Sequence, residues 1–143
     1  MRIRNATIDD KDFIKELDKE NMSSIIEFHG EKYKSYMFDS FKPKNCFIIE
    51  DDKLIGFVYF GIMGNKLDIW SIQIKKSLWG KGFGKKLMKY ILDFAVKKKL
   101  KKVVLEVNKN NNKAIRFYER LGFEKINSKK INKIAFEYII KIN

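Results

Sequence analysis

Three glycines at alternate positions, Gly80, Gly82 and Gly84, lie in the stretch Trp79-Gly80-Lys81-Gly82-Phe83-Gly84-Lys85-Lys86-Leu87 and open directly into an amphipathic helical pattern. The residues before them, Leu67 to Ile74, are rich in β-branched and aromatic types and read as a strand, so the unit is strand, glycine loop, helix. Glycine lets main-chain N–H groups approach an anion without a Cβ in the way, and a helix start adds unpaired donors and partial positive charge. Lys81, Lys85 and Lys86 place full charges beside the loop. The same glycines also suit a plain tight turn, and both readings stand at this point. Two common nucleotide loops are excluded by spacing. The dinucleotide loop needs a two-residue gap before its last glycine, and the P-loop ends in Gly-Lys-Ser/Thr.

The 143 residues suffice for one domain that buries roughly two-thirds of its unfolded surface, and 45% of them are hydrophobic. No apolar run reaches the roughly 18 residues of a membrane span, and none follows Arg2 and Arg4 as in a signal peptide, so the expectation is a cytoplasmic protein without membrane contact. Cys46, the one cysteine, has no internal partner and reads as a buried strand thiol.

The order of elements reads β, α, α, β, β, β, α, β, α, β, β. Arg2 to Ala6 is a strand, Asp9 or Asp10 caps a helix running to about Glu20, and Glu31 to Ser40 is a second helical region. Strands follow at Cys46 to Glu50, Leu54 to Ile62 and Leu67 to Ile74, with turns at Asp51-Asp52-Lys53 and Met63-Gly64-Asn65. The helix after the glycine loop carries Leu87, Met88, Ile91, Leu92 and Ala95 on one stripe. Val103 to Val107 is a buried strand, parallel to Leu67 to Ile74 because a crossover helix joins them. Glu124 to Ser128 and Ala135 to Lys141 close the sheet.

A net charge of +13 attracts polyanions over a Debye length of about 8 Å. The lysine runs at 97–99 and 101–102 could track nucleic acid, but they read as solvated turns, and Phe83, Phe94 and Phe117 fall on or beside helix core stripes rather than among exposed lysines. A basic nucleic-acid-binding module is therefore the disfavoured alternative.

Trp79 to Gly84 resembles the pyrophosphate-binding loop of the GNAT superfamily of N-acetyltransferases, Gln/Arg-x-x-Gly-x-Gly/Ala, with Gly82 and Gly84 on the family glycines and Trp79 at the usual Gln or Arg. A second segment, Asn108 to Phe123, is similar to that superfamily's Asn-x-x-Ala-Ile-x-Phe/Leu-Tyr-x-x-x-Gly-Phe through Asn111, Ala114, Ile115, Phe117, Tyr118, Gly122 and Phe123. The opening Ile3 to Asp10 resembles its first strand and helix cap, so the likeness spans the chain.

The resemblance implies an α/β fold (α+β in some schemes), GNAT-like, with a mixed central sheet of about seven strands flanked by about four helices and parallel central strands splayed apart. It implies acetyl-CoA as co-substrate. The backbone of Ile72, Gln73 and Ile74 would pair with the pantetheine arm, and Trp79, Gly80, Lys81, Gly82, Phe83, Gly84 and Lys85 would hold the diphosphate. Asn111, Ala114 and Tyr118 would line the arm, although Asn111 serves equally as a helix N-cap.

Transfer to an amine needs a free amine, a stabilised oxyanion and a proton for the thiolate. By the resemblance Tyr118 is the general acid; read from spacing alone it is a core aromatic on a stripe with Ala114 and Leu121. Glu106 matches the glutamate of the branch that acetylates ribosomal-protein N-termini, and Asp68 aligns with that of histone-type members. Either is the candidate base, or a sheet charge paired with a lysine. By the resemblance, which builds the acceptor pocket from the first two helices and the strands facing them, that pocket would fall near Glu27, His29, Glu31, Tyr33, Tyr36 and Trp70. The implied reaction is direct transfer in a ternary complex, without metal or covalent enzyme intermediate. The acceptor is a small amine or a protein N-terminus, the Glu106 match pointing to the latter. Trp79 keeps open a coenzyme A sensor without turnover, and a homodimer is open as well.

Overall fold

The structure, a computed structural model, describes residues 1–22, 41–126 and 135–142. In chain order these form β1 (Arg2–Asn5), α1 (Lys11–Met22), β2 (Cys46–Glu50), β3 (Leu54–Met63), β4 (Lys66–Ile74), α2 (Phe83–Lys97), β5 (Lys102–Asn108), α3 (Asn112–Arg120), β6 (Glu124–Ile126) and β7 (Ala135–Lys141). The strands make one seven-stranded sheet in the order β1-β2-β3-β4-β5-β7-β6. All neighbours are antiparallel except β4 and β5, which α2 joins as a crossover and which run parallel as expected. Three of the expected four α-helices are among the described residues; the predicted helix at Glu31 to Ser40, and with it Glu27, His29, Tyr33 and Tyr36, lies outside them.

The two sheet faces carry separate cores. On one, Leu87, Met88, Ile91 and Ala95 of α2 pack onto Ile49, Val58, Leu67, Ile69, Val103 and Leu105, with Phe83, Phe94 and Phe117 packed against them. On the other, Ile14 and Leu17 of α1 cover Ile48, Phe57 and Tyr59 beside Cys46, whose thiol burial pushes far up and so keeps protonated. Among the described residues no helix is long and apolar enough to cross a membrane.

Strand alternation fails at two points in the described sheet: Ile55 of β3 has no opposite number where β2 passes from Ile49 to Glu50, and a second break shapes the site. The β3–β4 register runs Tyr59↔Ser71 and then Phe60↔Ile69, leaving Trp70 as a bulge without an opposite number. Strict alternation from Leu67 and Ile69 would turn Ile72 and Ile74 to the α1 face; the extra residue returns both to the α2 core. Trp70 stays on the α1 face, stacked on Tyr59 at 5.3 Å, and Gly61 makes room for its ring, since a Cβ there would lie 2.2 Å from it.

The first helix begins differently from the sequence expectation. Neither Asp9 nor Asp10 is its cap: Thr7 caps a short 3-10 turn over Ile8–Asp10 that leads into α1, and Asp10 closes the capping box by accepting from the Thr7 N–H at 2.7 Å. Asp10 is buried because Arg4 reaches it with two nitrogens at 2.8 and 3.0 Å while also contacting Glu50 at 2.9 Å. Arg4 and the Thr7 backbone hold the Asp10 carboxyl below its ordinary range against its burial. A depressed carboxylate adds stability above its unfolded pKa of about 3.9, and this is lost as pH falls through the folded value. Arg4→Met, which leaves Asp10 buried and unpaired, is expected to lower unfolding free energy by about 3 kcal/mol at neutral pH and to flatten the acid limb of stability. Urea titrations from pH 7 to pH 2 check this; a change within about 0.5 kcal/mol would show that the pair contributes nothing.

Candidate active site

β4 and β5 pair only from Lys66↔Lys102 to Ile69↔Leu105. Beyond that point β4 continues to Ile74 against β3, and β5 continues to Asn108 against β7. Each strand keeps its outer partner and loses its inner one, so two facing edges carry main-chain N–H and C=O groups without a ladder between them. A cleft of about 410 Å³ occupies the gap. Trp70 to Ile74, Glu106 to Asn108, the glycine loop, the first turns of α3 and Asn21 of α1 form its walls.

The glycine loop closes one end. After β4 a 3-10 turn over Lys76–Leu78 delivers Trp79, and then Gly80 and Gly82 take φ values of 79° and 87°. A Cβ on either would touch nothing within 4 Å, so the left-handed backbone and not crowding requires glycine there. Gly84 is different: its added Cβ would lie 3.3 Å from the Phe117 ring, and its smallness lets α2 approach α3. Gly82 is the N-cap of α2 and provides no side-chain cap, which leaves the first-turn N–H groups facing the loop without that partner. Open space over two glycines, helix-start donors and Lys85 on the wall are a fitting cradle for a diphosphate.

Opposite lies α3. Asn111 caps it by accepting from the Ala114 N–H at 3.2 Å through Oδ1, which leaves its amide N–H groups for the cleft that it lines. Gly122, at φ 97°, ends the helix where the motif places it. Tyr118 projects between Phe117 and Phe123, with ring centroids 5.4 and 5.9 Å away. Burial pushes its phenol up to about 12, so it carries its proton throughout the neutral range.

Of the candidate site residues, Ile72, Gln73, Ile74, Trp79, Gly80, Gly82, Phe83, Gly84, Lys85, Glu106, Asn111, Ala114 and Tyr118 all line this one cleft, whereas Lys81 and Asp68 are off its wall. Asp68 sits behind Trp70, sharing a side-chain hydrogen bond with it, and burial raises its carboxyl against the opposing pull of Lys66. Glu106 stands directly across from Glu137 of β7. Asn21, Ser71, Leu78, Lys113 and Phe117 also line the cleft and were not singled out as its members. For Lys113 and Phe117 the signal was available, since they flank Ala114 and Tyr118 in the second motif; Asn21 carries none, because only tertiary packing brings α1 to β4.

Residues 11–123 match the sequence profile of the acetyltransferase (GNAT) family. A relative in Bacillus subtilis subsp. natto, a probable spermine N(1)-acetyltransferase, is 29% identical over 131 residues, spanning 78% of this chain and 86% of its own length. The crystal structure of PaiA N-acetyltransferase from Thermoplasma acidophilum in complex with coenzyme A superposes with a TM-score of 0.78 at 21% identity, over 99% of this chain and 98% of that one. The ribosomal-protein-S18-alanine N-acetyltransferase of Escherichia coli superposes at 0.76 with 18% identity, over 99% and 93%. At these identities the two structures establish the fold. Gly82→Ala, by forcing a side chain into the left-handed region, is expected to cost about 1 kcal/mol of stability and to weaken acetyl-CoA binding at least about fivefold. Calorimetric titration checks it; an unchanged dissociation constant would remove the loop from the binding site.

Proposed function

This chain belongs to the acetyltransferase (GNAT) family, and from that premise we propose that it transfers the acetyl group of acetyl-CoA to a primary amine of a small polycation of the polyamine class. The carrying observation is the carboxylate set beside the cleft. Glu106 and Glu137 are direct cross-strand neighbours, and Asp68 lies one strand away on the same face, across from Val104. Like charges opposite each other in a sheet are unfavourable, and a bound polycation offsets that repulsion. On this face the carboxylates lie nearer the fork than Lys66, Lys102 and Lys141, which follow in the next row, so the fork end is suited to receive cations while the lysine-bordered loop receives the anionic co-substrate. The likeness to the spermine N(1)-acetyltransferase of Bacillus subtilis subsp. natto supports the same class.

Acetyl-CoA supplies the activated acyl group as a thioester, and the chain's own residues do the rest. Asp68, Glu106 and Glu137 attract the ammonium groups of the acceptor. The reacting ammonium first gives one proton to solvent and attacks as the free amine; Glu106, on the cleft wall, accepts the second proton as the C–N bond forms. Main-chain N–H groups on the open edge of β4 stabilise the charge that gathers on the carbonyl oxygen. As the C–S bond breaks, Tyr118 gives its proton to the departing sulfur; Glu106 then releases its proton to solvent, and solvent reprotonates Tyr118. A phenol raised to about 12 is always loaded for this step at neutral pH and strongly basic after it, so its reprotonation is downhill.

A thiol-release assay over spermidine, a monoamine and a peptide α-amine tests the reading. The expected order puts the polycation first by at least about tenfold in kcat/KM, with the advantage shrinking as salt rises; a peptide α-amine ahead of the polycation would contradict it. Tyr118→Phe is expected to lower kcat about a hundredfold or more while acetyl-CoA affinity stays within about twofold. For the wild type, no alkaline limb assignable to Tyr118 is expected in kcat below about pH 11, since deprotonation disables an acid only near its own pKa. A limb at pH 9 that vanishes in Tyr118→Phe would contradict the raised phenol.

A further inference from the structure

The carbonyl of Ile74, the last residue of β4, accepts two side-chain hydrogen bonds. One comes from the Trp79 indole N–H at 2.8 Å, the other from the Asn21 amide at 2.9 Å. The Asn21 Nδ2 also reaches Gln73 Oε1 at 3.2 Å, and Gln73 in turn donates through Nε2 to Ser71 Oγ at 3.2 Å. The Ile74 carbonyl can only accept, which orients Nδ2 toward it and leaves Asn21 Oδ1 buried without a hydrogen-bond partner among the described residues. The result is a polar chain, Ser71 to Gln73 to Asn21 to Ile74 to Trp79, laid along the stretch of β4 that has lost β5 as its neighbour. Trp79 is 39% exposed, and the Lys113 ammonium of α3 stands 4.5 Å from its ring centroid.

A strand edge stripped of its ladder is a weak point, and a carbonyl with both lone pairs engaged is fixed in direction. We propose that Trp79 and Asn21 are positioning residues. Acting together through the Ile74 carbonyl, they hold the open edge of β4 and the start of the glycine loop in one geometry, so that the main-chain donors of both face the co-substrate at the same time. Trp79 ties that geometry to α3 through Lys113, and Asn21 ties it to α1. The loop is then preorganised before any ligand arrives, and binding does not have to order it. This rests on the acetyl-CoA reading, but the junction itself exists in the free protein and is measurable there.

The test compares wild type, Trp79→Phe, Asn21→Ala and the double variant. Trp79→Phe keeps an aromatic face for Lys113 while removing the N–H together with part of the indole; Asn21→Ala removes the other donor to the same carbonyl without touching the ring, and covers the case in which the first variant fails to fold. In the free protein, amide hydrogen exchange over residues 72–84 is expected to quicken about tenfold in each single variant, with the α2 core unchanged. Acetyl-CoA affinity by calorimetry should fall about five- to tenfold in each, and the double variant should lose less than the product of the two, because both act on one carbonyl. At saturating acetyl-CoA, kcat should stay within about twofold, which separates positioning from catalysis. Unchanged exchange and affinity in Trp79→Phe, or fully multiplicative losses in the double variant, would overturn the proposal. So would a kcat loss without an affinity loss. A wild-type protein that binds no acetyl-CoA would instead sink the acetyltransferase reading, while the exchange data would still decide whether the junction exists.

Discussion

The site exists because two parallel strands stop pairing. From Lys66 to Ile69, β4 is held on both sides; past the Trp70 bulge it is held by β3 alone, and β5 past Leu105 is held by β7 alone. A sheet tolerates such a fork only if each arm has another full ladder, and the strand order gives both arms one. The fork places unpaired peptide groups in the middle of the domain instead of at its rim, where they would be an aggregation hazard. It also leaves them unable to satisfy one another, which makes the gap a natural seat for an extended amide-bearing ligand. Everything else at the site is arranged around the fork: the glycine loop leaves from the end of one arm, and α3 follows the end of the other.

Charge is sorted along the same axis. Loop glycines, the start of α2 and lysines gather positive potential at one end, while Glu106, Glu137 and Asp68 gather negative charge on the α1 face of the sheet. Between them stands Tyr118, whose burial favours the neutral phenol. The Phe117 and Phe123 rings give that phenol apolar neighbours, which favours its neutral form. In the proposed reaction the anionic and cationic reactants approach from opposite ends, with Tyr118 proposed as the proton donor to the thiolate.

Much of this was legible in the sequence, for local reasons. The glycine spacing announced a loop opening into a helix, and the structure has that loop, with positive φ at Gly80 and Gly82 before α2. The Asn111 to Phe123 motif announced a capped helix ending in glycine, and both the cap and Gly122 are present. What was not legible depends on contacts between distant residues. Asp10 was read as a helix cap because its type and position suit one, whereas Arg4 on β1 draws it into a buried ion pair and Thr7 takes the cap. The bulge at Trp70 breaks a period of two that no single residue signals. Asn21 looks like any polar residue near the end of an amphipathic helix, and its two acceptors on β4 belong to a strand 52 and 53 residues away.

The central claim is that the open edges of the fork and the glycine loop together receive acetyl-CoA. An amide NMR titration of the protein with acetyl-CoA measures that most directly. The account predicts that the largest shifts fall on residues 72–74, 80–85 and 111–114, one continuous wall in space from three separate stretches of chain. Shifts confined to the lysine-rich residues 97–102, or none at saturating ligand, would contradict it.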